Sequence, residues 1–320
     1  MKTLFILNFH KWFDVILIFL IFALLPTFVS TTIVVHMLVF GIVAMAMDLM
    51  YGYGGLLSFG HALLLGLGCY GTAFALNHFT DNILVAVISG IALSVSVTSI
   101  VGIFVVRKRD PYFALLMLAF NVFFYQLWIG PLAPWTGSDL GLVVNLPIVV
   151  DRTTRYYLMI LLPALLAIVL MKIFLRSRLC SLLIATSESE EKVKALGHDP
   201  FKIKYVSLLY SAFLSGMAGS LICLYLGYIG IDYISPFTNP IIVFSALIGG
   251  SGTLLGPFIG SILYFALTYG LIMLLGYHAS IYLEGIIGVA LIVVVLRYRG
   301  GLYRTFYKLI TGYYKSEPMR

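Results

Sequence analysis

The side chains able to do chemistry in this sequence are few and far apart. Ser58 and His61 stand three residues apart inside an apolar, glycine-rich stretch, YGYGGLLSFGHALLLGLGCYG at 51–71. A polar residue within a segment long enough to enter a bilayer marks a functional site by default, because its desolvation is costly. A satisfied hydrogen bond between helices also explains such a residue and is favoured over contact with a substrate, and both readings stay open. Asp48 and Glu284 fall near the ends of apolar runs and are expected at the membrane interface, with His36 near the outer surface. No series of Asp, Glu and His runs through the middles of the apolar segments, which weighs against proton coupling. Signatures of catalysis are missing: no Gly precedes a Lys, so no phosphate-binding loop exists, and H-E-x-x-H, G-x-S-x-G and paired C-x-x-C do not occur. Cys69, Cys180 and Cys223 are too scattered for a disulfide framework or a metal site. The sequence therefore predicts no enzyme and no catalytic or metal-binding residues. No cofactor is expected on this chain, and if ATP drives it, the ATPase is another chain.

Seven of the 21 residues at 51–71 are glycine. In a water-soluble helix each would cost about 1 kcal/mol relative to alanine. In lipid, small residues let helix backbones approach closely, and glycine can break a helix where it borders a cavity. Gly54 and Gly55 suit a bend at the inner membrane edge, while Gly60 and His61 fall within the apolar run. Tight packing and a place beside a solute pathway are both consistent with this pattern. A second such region, GGSGTLLGPFIG at 249–260, spaces Gly252, Gly256 and Gly260 as two overlapping G-x-x-x-G units, expected on one helix face. Ser211, Ser215 and Gly219 repeat the spacing, as do Ala212, Gly216 and Ser220. Two glycine-rich regions in opposite halves hint at an internal repeat, without a residue-level match to establish one.

The elements that must position these residues are read from composition. The 320 residues are 61% hydrophobic and only 10% charged, with a mean hydropathy of +1.05. A charge-poor chain of this size predicts an all-α polytopic membrane protein. Ten apolar segments are expected, near 13–30, 32–50, 55–77, 83–106, 112–130, 156–175, 205–229, 238–250, 257–277 and 281–297, the eighth short enough to be broken or re-entrant. The first is read as an uncleaved helix rather than a signal peptide. With the amino terminus inside, 18 of the 20 Lys and Arg fall in inner loops and only Arg152 and Arg155 fall outside. This positive-inside bias places both termini in the cytoplasm. The net charge of +7 is thus a topology signal, not a nucleic-acid surface.

The loop at 176–204 is the one substantial inner loop. Ser187 followed by Glu190 reads as a capping box, and Ala185, Val193 and Leu196 form an apolar stripe on a short helix that Gly197 and Pro200 end. Its mixed charge favours docking on a protein partner over lying on lipid.

These stretches, in this order, resemble the LivM-type permease subunits of branched-chain amino acid ABC transporters. GYGGLLSFGHALLLGLGCYG at 52–71 resembles that family's G-x-x-G-x-L-S-x-G-H-A helix, and RKRDPYFALLMLAF at 107–120 its basic loop followed by Y-F-A. TGSDLGL at 136–142 resembles its T-G-G-x-x-G-L outer loop, with Ser138 in place of the second glycine. SESEEKVKALGHDPFKIKYVSLLYSAFLSGMAGSL at 187–221, ALIGGSGTLLGPFIGS at 246–261 and RYRGGLY at 297–303 resemble its loop helix, its G-G-x-G-T-x-x-G-P-x-x-G signature and its basic end. The resemblance implies one transmembrane permease domain over 1–320, in the cell (inner) membrane. It implies partners too: a second homologous permease chain, two cytoplasmic ATPases that use the ATP, and an extracytoplasmic solute-binding protein. Residues 185–197 would be the coupling helix, contacting an ATPase through Glu190, Glu191, Ala195, Leu196 and Gly197. Gly54, Gly55, Ser58, Gly60, His61, Gly252, Gly256 and Gly260 would serve the pathway or helix packing. Import of urea or short amides by the same architecture, and a stand-alone channel or ion-coupled transporter, are the alternatives.

Overall fold

The structure, a computed structural model, describes residues 2–147 and 152–275, with residues 285, 288, 289 and 302. A chain facing lipid must satisfy its backbone internally, and this one does so with helices. The first half contains α1 (Lys2–Leu24), α2 (Thr31–Asp48), α3 (His61–His78), α4 (Ile83–Val105) and α5 (Tyr112–Ile129). A two-residue strand, β1 (Leu142–Val143), leads to α6 (Leu162–Leu175), entered through a π-helical stretch at Tyr156–Leu161. Then come α7 (Arg178–Glu188), α8 (Glu190–Ala195), α9 (Pro200–Leu226), β2 (Tyr228–Ile229), α10 (Asn239–Gly249) and α11 (Gly256–Leu275). β1 and β2 pair antiparallel, with Leu142 opposite Ile229.

Among the described residues, five helices are long and apolar enough to cross a membrane: Thr31–Tyr53, Ile83–Val105, Tyr112–Ile129, Pro200–Leu226 and Gly256–Leu274. They coincide with five of the ten expected segments. Met159–Leu175 and Arg178–Glu188 make a sixth only if counted together across their 64° bend. The expected 55–77 segment becomes helical only at His61, because residues 54–60 hold no helix. The 238–250 segment is the 11-residue α10, roughly 16 Å long, or about half the hydrocarbon thickness. Of the 281–297 segment only residues 285, 288 and 289 are described, and Glu284 and the basic residues beyond the segment lie outside the described residues.

The centre of the fold is built by small residues. A Cβ on Gly68 of α3 would strike the backbone of Gly216 on α9, and one on Gly219 would strike Leu65 O. Ser94 of α4 fills the remaining gap and donates to Leu64 O and Ala212 O at 3.0 and 3.1 Å. So the small residues of α9 hold three helices together, while α2 is enclosed by protein along nearly its whole length.

The second glycine-rich region differs from its expected geometry. Gly252 has φ +73° and sits in the turn before α11, so it does not share a helix face with Gly256 and Gly260. Those two do lie on α11, against α10: Gly260 meets Ser245 O, and Gly256 meets Gly249 and Gly250. The two glycine-rich regions also touch. Asp48 is buried rather than interfacial, and its carboxylate accepts the Gly252 N–H at 2.8 Å. There is no room at that contact for a side chain on Gly52. Ser138, which replaces a glycine of the outer-loop motif, adopts the left-handed φ of +49° that glycine would take more cheaply.

Candidate functional site

The loop Arg107–Asp110 and helices α7 and α8 lie together at one end of the molecule, the basic face. From that face residues 54–60 run inward without regular structure. The π-helical turn Leu49–Tyr53 closes α2, Gly55 takes φ +65°, and Leu56 N–H returns to Met50 O at 2.8 Å. Asp110 Oδ2 then accepts the Leu57 N–H at 2.9 Å. Gly54 and Gly55 pass beside α7, where a Cβ would meet Leu183 and Ser187. Gly60 lies against Met117 of α5 and precedes the first residue of α3.

At that first residue the polar side chains gather. His61 is fully buried, its Nδ1 2.9 Å from Ser58 Oγ and its Nε2 2.7 Å from Ser211 Oγ. Ser211 spends its single hydroxyl proton on Ala46 O at 2.6 Å. Its oxygen can therefore only accept from the ring, which puts a proton on His61 Nε2 and, in the neutral ring, leaves Nδ1 to accept from Ser58. Beside this relay, Asn239 Oδ1 accepts the Ala62 N–H at 3.0 Å, satisfying one of the free donors at the start of α3. Asn239 Nδ2 donates to Asn121 Oδ1 at 2.6 Å, and Asn121 Nδ2 donates to Ile234 O at 2.8 Å. Asn121 lies halfway along α5, and Asn239 opens α10, so the starts of two helices and the middle of a third meet in one buried network. Every polar side chain named in this network has a hydrogen-bond partner. In this conformation it acts as a clamp.

The sequence pointed to Ser58, His61, Gly54, Gly55 and Gly60, and the structure strings these along one path from the basic face to the clamp. Gly256 and Gly260 lie apart, between α10 and α11. Asn121 and Asn239 were missed. Their signals were present: an amide in the middle of an 18-residue apolar helix, and an Asn-Pro step opening a short one.

On the basic face, α8 begins two residues later than a helix capped by Ser187 would. Ser187 ends α7, with its hydroxyl bonded back to Ile184 O, and Ser189 is the cap, its Oγ accepting Lys192 N–H at 3.3 Å. The helix closes with a paired turn at Gly197 (φ +83°), whose N–H reaches Lys194 O while His198 N–H reaches Val193 O. Of the expected apolar stripe, Val193 is buried and Leu196 is 74% exposed. Glu191, Ala195 and Gly197 share the exposed side. Glu190 turns inward instead, bonding Lys204 Nζ at 2.5 Å and Arg109 at 3.3 Å. Burial alone would raise the Glu190 carboxyl, but the hydrogen bond and charge of Lys204, joined by Arg109, outweigh it and hold the group below its usual range. Burial raises Asp110 instead, against the pull of the Leu57 N–H and the Lys204 charge.

None of the curated proteins and none of the solved structures compared with this chain matches it. A family model for the permease component of branched-chain amino acid transport systems matches residues 29–296, and the chain is a membrane-embedded member of that permease family.

Proposed function

We propose that this chain is the pathway-forming subunit of an ATP-driven importer of branched-chain or related amino acids. In this reading it pairs with a second permease chain, takes solute from an extracytoplasmic binding protein, and is driven by two cytoplasmic ATPases. The observation that carries the reading is the shape of α8. Its cap, its glycine stop and the Glu190 ion pairs fix a short helix rigidly to the basic face while Leu196 stands 74% exposed. An exposed leucine on a rigid, mixed-charge projection fits a groove in a protein partner better than it fits water. The Lys and Arg distribution supports placing this face in the cytoplasm, in an inner membrane crossed several times. The stretches 54–78 and 228–249 fit broken spans, whose non-helical parts are admissible in a membrane where protein buries them, as at Leu56, Ser58, Ile231 and Ile234.

The reading is tested by reconstituting the chain with its ATPases and second permease chain in liposomes. Solute uptake is expected to require ATP and all components. Solute flux through the purified chain alone, without ATP, would overturn it. Replacing Gly197 with Trp puts a side chain where nothing lies within 4 Å but strains the left-handed turn at φ +83°, so it is expected to cost about 1–2 kcal/mol at the end of α8, to leave the membrane helices intact, and to abolish solute-stimulated ATPase activity.

A further inference from the structure

Two cavities flank α8 on the basic face, and the Glu190–Lys204 ion pair lines both. The first, of about 320 Å³, lies between α8 and the chain at Gly54–Leu56. Apart from the shared pair, its charged walls are three carboxylates, Asp110, Glu188 and Glu191, against one cation, Arg109. The second, of about 210 Å³, lies between α8 and the start of α9, where the Arg107 guanidinium sits over the Phe201 ring at 5.5 Å. Its charges beyond the shared pair are two cations, Arg107 and Lys194, against one carboxylate, Asp199. One side of α8 is therefore negative and the other positive. Apart from the shared pair, all of these charged residues are exposed, so water and a partner can reach them. Neither Glu188 nor Lys194 has an ion-pair partner among the described residues. Like charges around an open cavity repel one another, and an opposite charge entering it relieves them. Burial already holds the Asp110 carboxyl above its ordinary range, against the Leu57 N–H and the Lys204 charge, so that wall is short of positive charge.

We propose that the two cavities make α8 a polarised docking ridge: the cytoplasmic ATPase seats a lysine or arginine side chain in the acidic cavity and an aspartate or glutamate side chain in the basic one. The inference rests on the reading of α8 as the ATPase contact, and it adds the charges and the direction of the partner surface. Leu196 alone would fit an apolar groove either way round. Opposite charges on the two sides of α8 admit one orientation and repel the reverse one. The charge of Glu190 is spent on Lys204 and Arg109, which leaves Glu188, Glu191 and Lys194 to meet the partner. An anionic membrane surface suits this ridge poorly, because lipid drawn to Arg107 and Lys194 would also meet the carboxylates of Glu188 and Glu191. A metal ion does not suit the acidic side either, since no group of acidic, His or Cys side chains among the described residues could hold one.

The test measures binding of the transporter's own ATPase, without nucleotide, to the full chain and its second permease chain in phosphatidylcholine nanodiscs. Glu188→Lys and Lys194→Glu each put the wrong sign beside a cavity, and each is expected to weaken binding about tenfold. Both side chains are exposed, so hydrogen exchange across α8 should stay as in wild type. The double variant leaves the net charge unchanged but reverses the polarity across α8, and it is expected to bind about a hundredfold more weakly than wild type. Recovery of affinity in the double variant would mean that net charge alone governs association, and would overturn the proposal. Wild-type affinity in either single variant would do the same. So would a Lys194→Glu effect seen only in nanodiscs containing phosphatidylglycerol, which would assign the basic cavity to a lipid headgroup. Leu196→Asp separates this inference from the reading beneath it. If Leu196→Asp weakens binding and the charge variants do not, the ATPase docks on α8 without the proposed polarity. If Leu196→Asp also leaves binding unchanged, the ATPase contact lies elsewhere and both fall.

Discussion

The clamp at the start of α3 and the ion-pair cluster under α8 solve the same problem with opposite chemistry. Each fastens a chain break to neighbouring helices. The clamp uses neutral groups only: an imidazole, two hydroxyls and two amides, all buried. The cluster uses full charges, Glu190 with Lys204 and Arg109. Full charges deep among α3, α5 and α9 would be expensive to desolvate, whereas on the basic face the exposed Arg109 keeps its water and only Lys204 and Glu190 are largely withdrawn from it, each paired with the other. The difference assigns roles: the inner cluster fixes the start of α3 among its neighbours, and the outer one fixes α8 on the basic face. Residues 54–60 join the two, tied to Asp110 at Leu57 and ending at His61.

Four variants break or sharpen this contrast, and they are ordered by their expected effect on stability. Gly68→Val inserts methyl groups against the immovable backbone of Gly216 and should cost about 3 kcal/mol, seen as a large drop in thermal unfolding temperature in detergent. A near-wild-type transition would mean that α3 and α9 do not pack as described. Asn239→Ala strands the Ala62 N–H and the Asn121 amide and should cost about 2 kcal/mol. Combined with Asn121→Ala it should cost less than the two single changes added together, because the pair acts as one unit. Full additivity would separate the two amides. Glu190→Gln leaves the largely buried Lys204 without its counter-charge and should cost about 1–2 kcal/mol, localised as faster hydrogen exchange in 178–199. Because the folded carboxyl lies below its ordinary range, its contribution is present above that range and lost as pH falls. Wild-type protection of α8 should therefore hold at neutral pH and fail only below the ordinary glutamate value of about 4.3, while Glu190→Gln shows no such step. Leu196→Asp, on an exposed side chain, should change stability by less than about 0.5 kcal/mol yet remove ATPase stimulation in the assembled transporter.

Much of the fold could be read from sequence because lipid leaves few choices. Length and apolarity marked the helices at 32–50, 83–106, 112–130, 205–229 and 257–277, and small-residue spacing marked the packing face of α9. What escaped the sequence were features set by contacts between distant segments. His61 and Ser58 stood out as a polar pair open to an interhelical hydrogen bond, and only the fold supplies Ser211 as the partner of His61. Asp48 looked interfacial because it ends an apolar run, but the tight turn at Gly252 brings a backbone N–H to it inside the protein. Gly252 matched a helical spacing, yet a sequence spacing cannot say that its φ is positive. Glu190 shared a charged stretch with Glu191, and only the position of Lys204 separates the inward residue from the outward one.

The central claim is that residues 54–60 link α8 mechanically to the clamp. Hydrogen exchange of the assembled transporter, with and without ATP, tests it most directly. The account predicts that when α8 becomes protected, the amides of Leu56 and Leu57 change their exchange with it, and that Glu190→Gln weakens that joint response. Protection of 190–197 with no change anywhere in 54–60 would contradict it.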